Sequence, residues 1–558
     1  MLLTDVPSPN QLILKLFETF FDILSSPAEE MSKNVEYHMT GILESMVDEC
    51  QALPSAVVEI ILAQFMRADP KLANASSSKA KKAAQADEDT TSFVPLAEYS
   101  PAYNMAKNLV NTCVDKMSRY VSQYFSNAII TATSSSAERP RKPKARGRKD
   151  SSPVEDDNMD VDAGPDAEGL KQLHKAHKLL RELWRAAPGV LQNVIPQIET
   201  ELNAENVDIR EIATEAIGDM ASGIGAAGPP PPNVLDPAVY PSFTLSSATR
   251  DSGSLTGPSL PSAPQAFSQT HPATYHSFLG RQNDRSPLIR ATLVTGIGRI
   301  LSTSAGGIGL ESQEEMDLIK VLADKLTDTE EKVRIAVIES IGSLRFIDIV
   351  NKIGSKGVDE PGSVLHNLAL LVRDRRPAVR AAATNLLAKL WGVASGEITL
   401  GNERVTALFG SIPSAVFNAM YANEVDINLN INNALYESLM PLGWPNVKKK
   451  QKSAAQSQEA VESQNNFEPT NLEAQADKLR AERLLTMLKD LDDKAKTVFF
   501  SLMKAQKSRT EYFKAFLSRC EDYKVSRAGY VGEHLLTIVF RVVQSRRMLK
   551  QLRLNCRN

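Results

Sequence analysis

Three stretches of this chain open on the same short pattern. They are Asp284-Arg-Ser-Pro-Leu-Ile-Arg290-Ala291, Asp328-Thr-Glu-Glu-Lys-Val-Arg334-Ile-Ala336 and Asp374-Arg-Arg-Pro-Ala-Val-Arg380-Ala381. Each places an Asp six positions before an Arg, with an aliphatic residue directly before that Arg. The arginines lie 44 and 46 residues apart, inside the period of about 40–47 residues that marks two-helix HEAT repeats. A weaker copy, Val207-Asp208-Ile209-Arg210-Glu211-Ile212-Ala213, lacks the matching Asp. A repeat of this length is one helical hairpin that cannot bury its apolar face alone, so copies must stack. The expected fold is therefore an all-α, HEAT-repeat (armadillo-like) superhelical solenoid.

The pattern carries helix-start chemistry. Asp328 with Glu331 predicts a capping box. Ser286-Pro287 predicts an N-cap followed by proline at the first helical position. The small residues Ala291, Ala336 and Ala381–Ala383 allow close helix approach. Each Arg is within reach of an Asp in an adjacent repeat, which predicts a charge-assisted ladder of Asp284, Arg290, Asp328, Arg334, Asp374 and Arg380.

Composition agrees with helix-on-helix packing. The 558 residues are 42% hydrophobic but only 6% aromatic, a Leu/Ile/Val/Ala-rich mixture unlike that of a β-sandwich. Apolar residues recur at helical spacing over 11–24, 34–50, 54–66, around 106–117 and 120–130, and over 170–185, 188–202 and 207–221. In the first of these, Leu12, Leu16, Phe20, Ile23 and Leu24 share one predicted face. Four polar or Pro/Gly-rich stretches interrupt the helices and are read as disordered, because they hold too little apolar surface to offset ordering entropy. The expected organisation is repeats over 1–130 with an insertion at 70–95, a basic/acidic linker over 131–168 and repeats over 169–222. A Pro/Gly/Ser linker over 223–272 follows, then repeats over 273–445, a linker over 446–470, a helical pair over 471–525 and an unassigned tail over 526–558.

Several motifs are better explained without chemistry. Gly223, Gly225 and Gly228 match G-x-G-x-x-G, but a helix precedes them and Pro229–Pro232 follow. A pyrophosphate needs free helix N–H groups there, so the match reads as linker. His174 and His177 share a helix face but have no supporting third ligand, and they read as surface residues. Cys50, Cys113, Cys520 and Cys556 form no C-x-x-C, which fits reduced thiols in an intracellular protein. No nucleophile elbow, Walker loop or H-E-x-x-H occurs, and no apolar run reaches about 18 residues. The expectation is a non-enzymatic protein with no cofactor, no metal and no membrane contact.

Net charge is −3, so contact with polyanions must be local. Arg139, Arg141, Lys142, Lys144, Arg146, Arg148 and Lys149 pack seven cations into eleven residues, the composition of a nuclear localisation signal. The acidic block Glu155–Asp162 follows and opposes tight DNA binding. Ser152-Pro153 is a phosphorylation candidate that would change the run's availability. Arg281, Arg285, Arg373, Arg375 and Arg376 fall in turns between helices, and equivalent turns of a solenoid align. They are the candidate ridge for a polyanion: an acidic peptide, an inositol polyphosphate or a nucleic-acid backbone. Leu12, Phe20, Phe125 and Trp184 read as core, while Trp391 and Trp444, near helix ends, fit either core or partner site.

Four ordered segments carry a family resemblance: Ser100-Pro-Ala-Tyr-Asn-Met-Ala-Lys-Asn-Leu109, the run from Leu180 to Glu199, the run from Phe278 to Arg290, and Leu371-Val-Arg-Asp-Arg-Arg-Pro-Ala-Val-Arg380. In order and wording they resemble, in fungal form, the cohesin-associated sister-chromatid cohesion regulators named for precocious dissociation of sisters. The likeness runs from about residue 11 to about 525 and fades after Tyr523. It implies a scaffold that docks on the kleisin subunit of cohesin and controls cohesion and cohesin release in mitosis. It also implies a nuclear, chromosome-associated protein whose chromatin contact is indirect. Family members carry further repeats with an Ala-Pro-Asp/Glu-Ala-Pro motif for release and acetylation factors. That motif is absent here, so the expected chain is an interior piece that binds kleisin without recruiting those factors. The alternative is another HEAT adaptor, a nuclear transport receptor or phosphatase scaffold; a transport receptor would be more acidic and more regularly repeated.

Deleting 139–149 is expected to abolish nuclear accumulation of a fluorescent fusion. Unchanged import of the deletion would show that the basic run is a solvated linker.

Overall fold

The computed structural model describes residues 9–25, 33–50, 53–66, 101–137, 165–226, 228–229, 231–240, 242–245, 265–353, 357–445 and 469–526. Among these residues every regular element is a helix and there is no strand. The chain divides into two units, one formed by Met1–Pro232 with Thr256–Val321, the other by Asn233–Leu255 with Leu322–Asn558.

The first unit contains α1 (Pro9–Ser25), α2 (Lys33–Glu49), α3 (Ser55–Gln64), α4 (Pro101–Thr112) and α5 (Val114–Ala137). It continues with α6 (Pro165–Ala186), α7 (Ile195–Leu202), α8 (Val207–Ala221), α9 (Pro272–Gly280) and α10 (Pro287–Thr303). The boundary between the units falls within α11 (Ser312–Lys325).

The buried face of α1 is Phe17, Phe21 and Leu24, with Leu12 and Ile23 exposed and Phe20 half-buried. This corrects the predicted face. The helix is apolar over more than half its circumference, and burying Phe17 and Phe21 together removes more surface from water than the Leu12–Phe20 side. Phe125 and Trp184 are core, and Trp184 meets Phe267 edge-to-face at 5.0 Å. Both α8 and α10 follow the recurring Asp/Arg turns. They pack so closely that a Cβ at Gly218 would lie 3.1 Å from the Gly296 Cα, and one at Gly296 3.3 Å from the Gly218 Cα and the Phe278 ring.

The second unit is arranged around one helix. It contains α12 (Glu331–Gly342), α13 (Val364–Leu370), α14 (Pro377–Thr399), α15 (Glu403–Phe409), α16 (Ile412–Asn418) and α17 (Val425–Ala434). Near the C-terminal end lie α18 (Pro469–Lys489) and α19 (Asp493–Ser526). Helix α14 buries residues on every side, including Val379, Ala383, Leu387, Leu390, Trp391 and Ala394, as a helix apolar all round must. It contacts α12, α15, α16, α17 and α18. Phe409 and Phe417 are fully buried beside it, each contributing roughly 1.5–3 kcal/mol.

Residues 233–240 and 242–245 fall inside the stretch read as linker, but they are built into the second unit. Leu235 and Pro237 are buried, the Leu245 N–H donates to Glu397 at 2.7 Å, and Phe243 lies 5.3 Å from Phe346. The segment carries more apolar residues than the Gly/Pro/Ser-rich stretch around it, including Leu235, Tyr240 and Phe243. Its order comes from groups elsewhere in the chain.

Alanine at Gly218 or Gly296 alone would gain up to about 1 kcal/mol of helix propensity, which works against the crowding. Alanine at both positions puts two methyl groups into one contact, and overpacking of about 1–3 kcal/mol should win. A Gly218→Ala/Gly296→Ala double variant is expected to lower the unfolding midpoint, measured by chemical denaturation. A midpoint at or above wild type would refute the close approach.

Candidate functional site

The recurring Asp/Arg turns have one geometry. Asp284 Oδ1 accepts from the Ser286 N–H at 2.9 Å, Asp328 Oδ1 from the Glu330 N–H at 3.0 Å, and Asp374 Oδ1 from the Arg376 N–H at 2.7 Å. These are Asx turns, in which the carboxylate binds the backbone two residues on. The Asp stands two residues before the N-cap: Ser286, Glu330 and Arg376 occupy the N-cap positions without a side-chain capping bond. The capping box expected from Asp328 and Glu331 is therefore not formed.

Each arginine then folds back onto its own turn. Arg290 Nη1 donates to the Asp284 carbonyl at 2.8 Å, Arg334 to that of Asp328 at 2.7 Å, and Arg380 to that of Asp374 at 2.9 Å. Arg210 does the same with Ala204 at 2.7 Å, so the weaker copy keeps the turn without the Asp. In Arg210, Arg334 and Arg380 the other side of the guanidinium points to the next repeat. Arg334 Nη2 donates to Asp374 Oδ1 at 2.8 Å, with side chains only 4% and 9% exposed. Arg210 lies 3.3 Å from Asp284, and Arg380 reaches Glu424 at 3.3 Å and Asp426 at 3.6 Å. Glu424 and Asp426 did not stand out in the sequence; the signal was Glu-Val-Asp-Ile at 424–427, which echoes Asn-Val-Asp-Ile at 206–209.

The candidate ridge residues are split between the two units. In the first, Arg281 is held by the Leu202 carbonyl at 2.9 Å, Asn203 at 3.3 Å and Asp284 at 3.6 Å, while Arg285 is exposed. In the second, one short turn carries the exposed Arg373, Arg375 and Arg376. Arg373 donates to the Asn418 carbonyl, Arg375 to the Thr329 carbonyl, and Arg376 lies 3.5 Å from Glu331. They form a local cationic patch whose guanidiniums also tie neighbouring turns together. The basic run 139–149 lies outside the described residues.

Other polar groups are internal. His177, read as a surface residue, is buried against Glu201 at 3.0 Å, because the α6 face that carries it packs inward; His174 is exposed. Arg181 and Arg299 flank the buried Asp219 carboxylate at 2.6 and 2.5 Å. The Tyr103 hydroxyl donates to Glu182 at 2.6 Å, and burial plus the Glu182 charge push its pKa upward, so it remains a donor. Glu182 also accepts from the Ala226 N–H at 3.0 Å, so the glycine turn expected as linker is folded onto a buried carboxylate. Trp391 and Trp444 are both buried, with the Arg483 guanidinium 5.8 and 5.1 Å from their rings. Sequence reading did not single out Arg483, an arginine on a helix with no motif around it. Among the described residues no group of three or more His, Cys, Asp or Glu is placed to hold a metal ion.

Stacked helical pairs, joined by Asp/Arg turns and bearing arginines at the turns, define an all-α HEAT-repeat protein. The family model for the sister chromatid cohesion protein PDS5 matches residues 1–549, and the chain belongs to that family. The match passes Tyr523, where the likeness was expected to fade, and takes in most of the tail over 526–558. Among curated relatives, the Schizosaccharomyces pombe sister chromatid cohesion protein pds5 is 23% identical over 523 residues, covering 94% of this chain and 33% of the relative. Saccharomyces cerevisiae PDS5 is 24% identical over 539 residues, covering 95% of this chain and 32% of the relative. The chain thus spans about a third of the length of these relatives. A solved Pds5–Scc1 complex contains a chain of the same fold, 21% identical, with a TM-score of 0.55 over 92% of this chain and 58% of that one.

Removing one partner of a buried pair leaves the other uncompensated, at about 3–5 kcal/mol. Arg334→Met is expected to destabilise the second unit by about that much; Arg334→Lys should cost less, because its ammonium keeps a charge beside Asp374, but not nothing, because it cannot also reach the Asp328 carbonyl. A double-mutant cycle with Asp374→Asn, read by denaturant unfolding, should show positive coupling. Additivity would mean that the two side chains act independently.

Proposed function

We propose that this chain is a non-enzymatic cohesin regulatory scaffold that docks on the kleisin subunit and so controls sister chromatid cohesion and cohesin release in mitosis. The observation that carries this reading is the family match across nearly the whole chain. A Pds5 held in complex with Scc1 is the precedent for a kleisin partner. The physical mechanism is capture of an extended acidic segment: its carboxylates meet exposed guanidiniums at the repeat turns, and apolar anchors enter between helices. Arg285 in the first unit and Arg373, Arg375 and Arg376 in the second are the residues best placed for this. The Arg334–Asp374 pair and its equivalents hold the turns and are not themselves offered to a partner.

This role needs no catalytic group, cofactor or metal, and it places the protein in the nucleus, bound to chromosomes through cohesin rather than through DNA. The run 139–149 serves as the import signal. Release and acetylation factors would bind through a motif that this chain does not contain. The family match speaks against the alternative of a nuclear transport receptor or phosphatase scaffold.

Pull-down with purified kleisin fragments tests the proposal. Wild type is expected to retain a fragment. Glutamate at 373, 375 and 376 is expected to weaken retention at least about tenfold, the loss of one or more charge-assisted contacts. Lysine at all three should retain more binding than glutamate, and thermal unfolding of both variants separates lost binding from lost folding. No retention by wild type would overturn kleisin docking; unchanged retention by the glutamate variant would overturn only the patch.

A further inference from the structure

The segment 233–245 is held in the second unit by a set of contacts that resembles recognition of a peptide more than it resembles core packing. Its sequence is Asn-Val-Leu-Asp-Pro-Ala-Val-Tyr-Pro-Ser-Phe-Thr-Leu. It lies against α14 where that helix presents Gly392 and Gly396, one turn apart. A Cβ at Gly392 would meet both Pro237 Cβ and the Ser438 carbonyl at 2.5 Å, and one at Gly396 would meet Ser242 Cβ at 2.7 Å and the Phe243 carbonyl at 3.3 Å. The missing side chains therefore form a shallow channel into which the Pro237 and Ser242 side chains and the Phe243 carbonyl fit.

Charged side chains grip the segment by its main chain. Arg483 Nη1 donates to the Pro237 carbonyl at 3.0 Å, and Glu397 accepts from the Leu245 N–H at 2.7 Å. Between these grips, two aromatic rings serve as anchors. Tyr240 lies 6.0 Å from Trp444 and Phe243 lies 5.3 Å from Phe346, both edge-on. Side chains alternate over 234–237: Leu235 and Pro237 are buried, and Val234 and Asp236 are exposed. Main-chain bonds for affinity and alternate pockets for specificity are how extended peptides are recognised.

The two charged grips keep partners without the segment. Arg483 retains the Leu439 and Ser438 carbonyls, both at 2.8 Å, and the faces of Trp391 and Trp444. Burial lowers its pKa only to about 10, so it stays charged at neutral pH. Glu397 retains Asn402 Nδ2 at 2.8 Å. Departure of the segment would leave neither charge buried without a partner, the condition under which a groove can exchange its occupant.

We propose that the Gly392/Gly396 channel, with Arg483 and Glu397 at its two grips, is a peptide-binding site occupied in cis by residues 233–245. Its competing ligand is an extended, proline-bearing segment of a partner protein with two aromatic residues three apart, the chemistry of Tyr240-Pro-Ser-Phe243. The cis segment acts as an inhibitor of that site at the high effective concentration that tethering gives.

The test uses the full chain with residues 233–245 replaced by a Gly/Ser sequence of equal length and a fluorescent peptide of residues 231–245. The replaced chain should bind the peptide saturably by anisotropy, and wild type should bind at least about tenfold more weakly because the cis segment competes. Adding Gly396→Ala to the replaced chain should weaken binding by about tenfold or more, since the atoms nearest a Cβ at Gly396 belong to the segment. A chain that keeps its cooperative unfolding but binds no peptide would overturn the proposal. Loss of cooperative unfolding on replacement would also overturn it, by showing that the segment is core. A second variant leaves the segment in place: Gly396→Ala in wild type should speed hydrogen exchange over 233–245 alone, and Ser242→Gly should restore protection. Unchanged exchange in Gly396→Ala would refute the channel. Kleisin retention is read separately, so failure here leaves the scaffold reading standing, and the reverse.

Discussion

The two-sided use of one guanidinium underlies the repeat. One nitrogen of Arg334 closes its own turn on the Asp328 and Thr329 carbonyls, while another reaches Asp374 of the following repeat. A solenoid has no contacts beyond nearest neighbours to correct an error in stacking. The angle between one hairpin and the next must therefore be set locally, and a planar fork fixed at both ends sets it more tightly than apolar contact alone. Replacing a buried ion pair with well-packed apolar groups is often neutral for stability. The orientation that the Arg–Asp pair gives is thus a better reason for its recurrence than the energy it contributes.

That local arrangement also decides where function can sit. The helix interiors are filled: α14 buries most of its residues, and α8 and α10 meet at two glycines where an added methyl group would be crowded. Buried charges such as Asp219, between two arginines, are internally neutralised and aim at nothing outside. What remains for partners is the set of turns and the shallow channels along helix faces. The turns carry arginines because the fork that ties one repeat to the next leaves further guanidiniums, those of Arg285, Arg373, Arg375 and Arg376, at the rim.

Much of this was legible because it is periodic. The Asp-to-Arg spacing of six is the length of one Asx turn followed by the first helical turn, and the 44- and 46-residue steps are a helical hairpin. The family likeness of the ordered segments is read in the same way, from order and wording. Periodicity fails where a helix is apolar on more than one side. In α1 it could not choose between the Leu12–Phe20 face and the Phe17–Phe21 face, because that choice is made by neighbours distant in sequence. His177 was misplaced at the surface and Arg483 passed over for the same reason: whether a lone polar residue lies in solvent or in the core depends on what the adjacent helix places opposite it.

The misreading of 233–245 has a different origin. A compositional argument for disorder weighs a segment's own side chains against its own ordering entropy. It assumes that the main chain remains solvated by water. Here the main chain is bound by Arg483 and Glu397, which lie 246 and 152 positions away from the residues they hold. Two glycines in a third element remove the side chains that would have kept it at a distance. None of these groups is informative by itself, since a glycine in a helix usually only weakens it and a buried arginine usually seeks a carboxylate. Gly392, Gly396 and Arg483 depart from those local rules together, on one face and around one extended segment. Local rules are most often broken where a structure serves a binding function.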